Sequence, residues 1–458
     1  MILRKYEHEV FKGGYEMKRL FMKIPSLFLV TSLVISLAAC GQTDKSTNKV
    51  KLITTQQVAA DKTITLKLWH VWAAESESNR KPFLKVLDNY LTAYPNSELE
   101  IDETEAQTYQ TKIKTTAAAN ELPDVFYYQG GGLLKNFVNA DKILCLDEYL
   151  KDGTMDRIMP GTLVNMTYGG KVYALPYTLA CAVFFVNREL FEQNGIKIPE
   201  TYNELVTAVK AFRAKGITPM TMGGKDLWPI TQYFDIMALR DAGYQTCKDA
   251  LNKKVSFEDP GILDAATKFQ ELVKLKAFNE GALGITRDES EVPFYEGKIP
   301  MYVNGNWTCG NINKDGSKVK GKILALKFPL IEGGKGDIND FTGGAADVFC
   351  ASSSTQYKDE AANCVKYITE NHSREAFLAG AGMPTWKFEF DEAKIDPLTI
   401  QVVNNTKKAK SFTLWWNSSL ESKDSELYQN ELVKLFALKV TPEEFCKDMQ
   451  KMNEDAVE

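Results

Sequence analysis

Histidine is nearly missing from this chain: three stand in 458 residues, and only His70 and His372 follow Met17. That leaves little material for a histidine-based metal cluster or a catalytic triad, and neither H-E-x-x-H nor G-x-S-x-G occurs. A basic block is missing too. The net charge is -5 and no Lys/Arg run dominates a face, so nucleic-acid binding has no electrostatic footprint. There is no C-x-x-C, and no stretch of transmembrane length follows the N-terminal apolar run. Two glycine-rich segments fail as nucleotide loops. Gly316 to Lys322 has the Gly and Lys spacing of a phosphate loop, but Ile323 stands where a metal-binding hydroxyl is required. Gly333-Gly334-Lys335-Gly336 lacks the third glycine of a dinucleotide loop. No cofactor and no metal are expected. Carboxylates are plentiful, so a surface glycoside hydrolase stays open as an alternative, since its two acids need only meet in space.

What is present begins at the N-terminus. Lys12-Gly13-Gly14 corresponds to a purine-rich codon run of ribosome-binding type, so residues 1–16 are expected to be an upstream extension and Met17 the start. Lys18, Arg19 and Lys23 precede an apolar stretch from Leu27 to Leu37, a secretory signal layout over 17–39. Leu37-Ala38-Ala39-Cys40 resembles the bacterial lipobox, which implies that Cys40 becomes the first mature residue and carries lipid, palmitate included. Residues 40–61, rich in Thr, Gln, Lys and Ser, are expected to form a flexible tether. Setting Cys40 aside leaves seven cysteines at scattered spacings. They cannot all pair within one chain and most sit among apolar neighbours, so they are expected to be buried free thiols.

About 420 residues would remain after cleavage, enough for two or three domain-sized units. With 44% hydrophobic and 25% charged residues, 19 Tyr and 24 Phe, the composition is globular. Thr63 to Trp69 alternates as a strand, Pro82 to Tyr94 has helical spacing, and Leu99 to Thr104, Tyr109 to Asn120 and Asp124 to Tyr128 continue a strand-helix-strand pattern. That alternation predicts a parallel sheet covered by helices, an α/β fold. The pattern restarts with a strand at Ala182 to Asn187 and a short helix from Glu189 to Asn194 that ends on Gly195. Thr201 opens another helix in a capping-box sequence. Further helices are expected from Gly261 to Leu275 and from Asp359 to Asn371.

Aromatic residues cluster at strand ends or beside Gly and Pro: Trp69 and Trp72, Tyr128-Gln129, Tyr177, Trp228, Trp307, and Trp415-Trp416. In α/β sheets ligands bind beyond the carboxyl ends of strands. A ring there offers a flat face of about 100 Å², worth about 2 kcal/mol when covered, and sugars present matching faces. Trp386, after Met383-Pro384-Thr385, is assigned to packing.

Taken in order, these segments resemble the extracellular solute-binding proteins of ABC importers for oligosaccharides, the group that includes the maltose-binding protein. The resemblance runs from about Thr63 to Met452. Its markers are Leu122 to Phe126 with Leu144 to Leu150, Gly170 to Tyr177 leading into Phe185 to Leu190, Pro199 to Leu205, Phe294 to Trp307, and Gly343 to Asp347. It implies a two-lobed periplasmic-binding-protein-like fold with multiple interlobe crossings: residues 62–178 plus 347–400 in lobe 1, and 179–346 plus 401–458 in lobe 2. It also implies a receptor rather than an enzyme, monomeric and lipid-anchored on the outer face of the cell membrane, with a carbohydrate ligand and permease transmembrane subunits as partners. A non-sugar small solute is the alternative within the fold. The candidate ligand-binding residues are Trp72, Tyr128, Gln129, Tyr177, Trp228, Trp307, Asp347 and Trp416; among them the resemblance points to Tyr128-Gln129 and Trp307, and to either Trp415 or Trp416 as the C-terminal aromatic. Ala345-Ala346 departs from the bulkier residue common in relatives.

Overall fold

A computed structural model describes residues 63–454; the signal segment, Cys40 and the tether lie outside them. Order begins where the alternation does. Strand β1 (Ile64–His70) buries Leu66, Leu68 and His70 on one face and turns Lys67 and Trp69 to the other. Helix α1 (Arg80–Ala93) lays Phe83, Val86, Leu87 and Tyr90 into the same core, the i, i+3, i+4, i+7 stripe of an amphipathic helix. Next come β2 (Ser97–Glu103) and α2 (Ala106–Ala118), whose first turn is capped by the Glu105 carboxylate accepting from Gln107 N at 3.0 Å and Thr108 N at 3.3 Å. Strand β3 (Val125–Gln129) is followed by α3 (Gly132–Asn139). β1 lies between β2 and β3 and runs parallel to both. A short α4 (Thr154–Arg157) and the hairpin of β4 (Thr167–Tyr168) and β5 (Lys171–Val172) lead to β6 (Leu175–Pro176) at the sheet edge.

The second layer starts with β7 (Ala180–Asn187), in which every residue is buried, as its unbroken apolar run requires. The Asn187 side chain then caps α5 (Arg188–Asn194), which closes on Gly195 at φ 64°. Thr201 opens α6 (Tyr202–Ala214) by accepting from Glu204 N. Helices α7 (Trp228–Asp241), α8 (Tyr244–Leu251) and α9 (Pro260–Lys274) follow, then α10 (Arg287–Tyr295), opened by a reciprocal Thr286/Glu289 capping box. Beyond it lie β8 (Met301–Gly305), α11 (Thr308–Asn313), β9 (Ile323–Leu326) and β10 (Asp340–Gly344). β7 pairs antiparallel with β8, β9 and β10.

The chain returns to the first sheet as β11 (Asp347–Ala351), antiparallel between β3 and β6, and α12 (Lys358–Leu378) packs on α1. It then crosses once more. α13 (Pro397–Thr406) packs on β9, and β12 (Ser411–Thr413) pairs parallel with β10. α14 (Trp416–Ser419), α15 (Ser422–Phe436) and α16 (Pro442–Glu454) complete the second lobe around α7 and α9. The second-lobe material therefore resumes at α13, before residue 400, because Leu398 and Val402 are buried with Phe185 and Ala325 in a core the first sheet does not share.

The fold is thus two α/β lobes with separate main cores, one gathering Phe83, Phe126 and Phe349, the other Phe184, Phe234 and Phe269. Trp386 is core: it is buried and donates its indole N–H to the Pro176 carbonyl at 2.8 Å. The seven cysteines among the described residues are free thiols, and all but Cys145 are buried.

Candidate ligand-binding cleft

Backbone passes between the lobes at Tyr177 to Leu179, at Ala345-Ala346 and between α12 and α13, and side chains tie the passages together. Leu179 N donates to Met383 O at 2.8 Å, and Asn306 bonds both sides of the first crossing, Oδ1 accepting from Cys181 N at 3.1 Å and Nδ2 donating to Leu179 O at 3.2 Å. Gly130 N donates to Ala346 O at 2.7 Å, and Asn165 Nδ2 to Ala345 O at 2.9 Å. Ala345 and Ala346 are buried by this bracing. Gly343, at φ 137°, lies so close to the first crossing that a β-carbon there would stand 2.2 Å from Ala180 O; no other residue fits.

Beside these crossings three tryptophans form a row. Trp307, half-buried, follows β8, and its indole folds back over Gly305, where a β-carbon would meet the ring at 2.0 Å. On one side the Trp228 ring stands edge-on with centroids 6.1 Å apart; on the other lies Trp415, 5.7 Å away. Trp228 starts α7 directly after Leu227, a non-glycine residue at φ 61°, the kind of costly backbone that persists where surroundings over-determine it. Gln232, one helical turn along α7 from Trp228, is buried with Oε1 unpartnered within the protein, and the indole Nε1 of Trp415 is likewise unpartnered. Buried polar groups of this sort are normally satisfied. A ligand hydroxyl could supply the missing acceptor and donor.

Several expected site residues lie elsewhere. Trp72 is in the first-lobe core, edge-on to Phe83, Tyr127 and Tyr177, just past a bend at Val71 that ends the strand's alternation. Tyr177 is buried in the same group, its ring 4.6 Å from that of His372. Tyr128 lies in β3, a strand buried on both faces, and stacks on Phe137 at 4.6 Å. Trp416 is 1% exposed and packs on Phe234, Phe257 and Tyr428; its neighbour Trp415 takes the place in the row. Trp228 and Trp307 come together as just described. Gln129, half-buried at the end of β3, accepts from Gln110 at 3.3 Å. Asp347 begins β11 and accepts the Tyr127 hydroxyl at 2.5 Å, burial raising its carboxyl above the usual range. Trp69, half-buried, has its face covered by the Lys112 ammonium 4.1 Å from the ring centre. Gln232 escaped sequence reasoning although its spacing from Trp228 places both on one helix face.

Charge gathers at the Trp228 end. Arg287 pairs with Glu77 of the first lobe, Nη2 to Oε1 2.8 Å, and with Asp288. Asp226 accepts the Arg287 backbone N–H at 2.7 Å, its carboxyl raised by burial above the usual range.

The profile of the bacterial extracellular solute-binding protein family matches residues 73–374. The chain belongs to this family. Extracellular solute-binding proteins are receptors outside the cytoplasm, and the two lobes joined by several crossings are the family's architecture. A solved structure from a study of xylan utilisation by the thermophilic bacterium Caldanaerobius polysaccharolyticus is 40% identical, with a TM-score of 0.82 over 85% of this chain and 100% of that one. A chitin oligosaccharide binding protein is 26% identical, TM-score 0.79, over 86% of this chain and 99% of its own. The multiple sugar-binding protein of Streptococcus mutans is 23% identical over 387 residues, 82% of this chain and 86% of the relative.

Proposed function

We propose that this protein captures an oligosaccharide between its lobes and delivers it to the transmembrane subunits of an ABC importer, working as a monomer tethered to the membrane by lipid on Cys40. The observation that carries the reading is the row Trp228–Trp307–Trp415 with the unpartnered Gln232 Oε1 and Trp415 Nε1 beside it. The half-buried Trp228 and Trp307 offer faces to the C–H faces of sugar rings, each worth about 2 kcal/mol when covered, with the buried Trp415 packed beside Trp307, while the two polar atoms meet hydroxyls. Gln129 and Asp347, across the crossings on the first lobe, are the candidates for hydroxyl contacts from that side. A ligand that touches both lobes stabilises the closed form, which a permease can distinguish from the open one.

Xylan and chitin are both β-1,4-linked polymers, and proteins tied to each by name are among the relatives, so a β-1,4-linked oligosaccharide is the proposed ligand class. Calorimetric titration with xylo-, chito- and malto-oligosaccharides, followed by chromatography of the mixtures, tests this. Saturable binding of a β-1,4 series with sugars recovered intact is expected. Shortened products would replace the receptor by a glycoside hydrolase, and binding of the malto series alone would overturn the linkage.

A further inference from the structure

Trp228 has a neighbour that the aromatic row does not account for. The Arg287 guanidinium carbon lies 6.0 Å from the centre of the Trp228 ring, and the residue is only 8% exposed. One of its carboxylate partners comes from the opposite lobe: Nη2 donates to Glu77 Oε1 at 2.8 Å and Nη1 to Oε2 at 3.4 Å, a two-pronged contact with the loop that follows β1. The second lobe contributes Asp288, which accepts from Nε at 2.8 Å, and Asp226, which accepts the backbone N–H. Two further bonds join the same loop to the same lobe. Ser76 donates to Asp288, and Asn311 of α11 donates to the Ser76 carbonyl at 2.8 Å.

The charges make this bridge conditional. A guanidinium so buried needs opposite charge around it, and removing one partner of such a pair leaves an uncompensated charge. Asp288 and Asp226 move with Arg287 and stay beside it in any arrangement of the lobes. Glu77 does not; it reaches the fork only when its lobe is close. The planar guanidinium, gripped on its donor edge by Glu77, is then held against the indole that heads the row.

We propose that Arg287 is a closure-dependent positioning residue: Glu77 of the opposite lobe engages its guanidinium only in the closed protein, and that engagement fixes the Trp228 ring as part of the ligand surface. The proposal rests on the reading of the tryptophan row as an oligosaccharide site. It makes lobe closure and completion of the binding surface one event, so the bridge governs how long a ligand stays more than how fast it arrives.

The test is Glu77→Gln, Arg287→Lys and the double variant, with xylotetraose and chitotetraose as probes and stopped-flow tryptophan fluorescence as readout. Each single change is expected to raise the dissociation rate about tenfold, inside the 5–150-fold range typical of coupled sites, with association within a factor of about two to three. The double variant should be no worse than either single one, since residues acting as a pair are non-additive. An effect of Arg287→Lys with none of Glu77→Gln would overturn the proposal, because Arg287 would then act from its own lobe. Multiplying effects would overturn it as well. If neither sugar binds the unaltered protein, the β-1,4 reading fails, and the same kinetic comparison with maltotetraose as probe decides about the bridge by the same criteria.

Discussion

Trp415 and Trp416 are adjacent in sequence and face opposite ways. The Trp415 ring lies 5.7 Å from Trp307 at the crossings, while the Trp416 ring is 5.4 Å from Phe234 in the second-lobe core. The junction is held from below, where Asp235 Oδ2 accepts the Trp416 backbone N–H at 2.8 Å and the carboxylate also takes the Tyr428 hydroxyl. Burial raises the Asp235 carboxyl to about 8.

Alanine should therefore separate the two. Trp416→Ala is expected to destabilise the fold by about 3–5 kcal/mol, the usual cost of emptying a large aromatic site. Trp415→Ala removes a ring that is 6% exposed and packed on Ala180 and Ala182, so it should also cost stability, but unlike Trp416→Ala it should weaken oligosaccharide binding in the protein that remains folded. Thermal melts and calorimetry on both variants decide it; the reverse pattern would exchange their roles.

Gly305→Ala should act as a binding mutation although Gly305 has no side chain to contact anything. The added β-carbon displaces the Trp307 ring, its nearest neighbour at 2.0 Å. Affinity is expected to fall about as far as in Trp307→Ala, by about 2 kcal/mol. Full affinity in Gly305→Ala would show that the Trp307 ring need not lie where it does.

Acid should loosen the first lobe. Burial lowers His70 and His372 to about 3 from an ordinary value of 6.5, with the nearby Arg80 charge adding to the effect at His70. Between pH 6.5 and 3 the unfolded chain binds protons that the folded chain refuses, so these groups make stability fall as pH falls through that window, by up to about 1.4 kcal/mol per pH unit for each histidine. Asp235 and Glu291, raised by burial, work in the opposite sense. The difference between variants is thus the readout. His372 has neither nitrogen bonded and is ringed by Trp72, Phe83 and Tyr177, so His372→Phe should flatten the decline of melting temperature from pH 7 to 5. An unchanged slope would assign the acid sensitivity elsewhere.

Cys40→Ala should release the protein from membranes or block its maturation. One acyl chain gives only marginal residence and each buried methylene adds about 0.8 kcal/mol, so stable anchoring takes more than one chain. Fractionation of cells producing the variant checks this; a processed variant that stays with the membrane would remove the lipid anchor from the account.

Local chemistry was legible in the sequence. The Thr201 cap, the Gly195 stop and the buried run of β7 could be placed because each depends on residues a few positions apart. The direction of an aromatic ring was not. Trp72, Tyr128 and Tyr177 sit at strand ends as expected, yet lie in their own lobe's core; β3 is buried on both faces, so Tyr127 and Tyr128 both belong to it, and what covers a strand end comes from segments far away in sequence. Nothing local distinguishes Trp415 from Trp416 either; Asp235, nearly two hundred residues earlier, does that. Arg287 was invisible for the same reason, its partner Glu77 being 210 positions away.

The buried thiols carry a further consequence. Burial lifts Cys181, Cys364 and Cys446 to about 12 and raises Cys247, Cys309 and Cys350 as well. The reactive species is the thiolate, so the folded molecule presents these sulfurs to air, alkylating reagents or stray disulfides in an inert form. Unfolding exposes all of them at once. The native state protects its own covalent integrity, and an excursion that would otherwise be reversible becomes permanent when an oxidant is present to cross-link the opened chain.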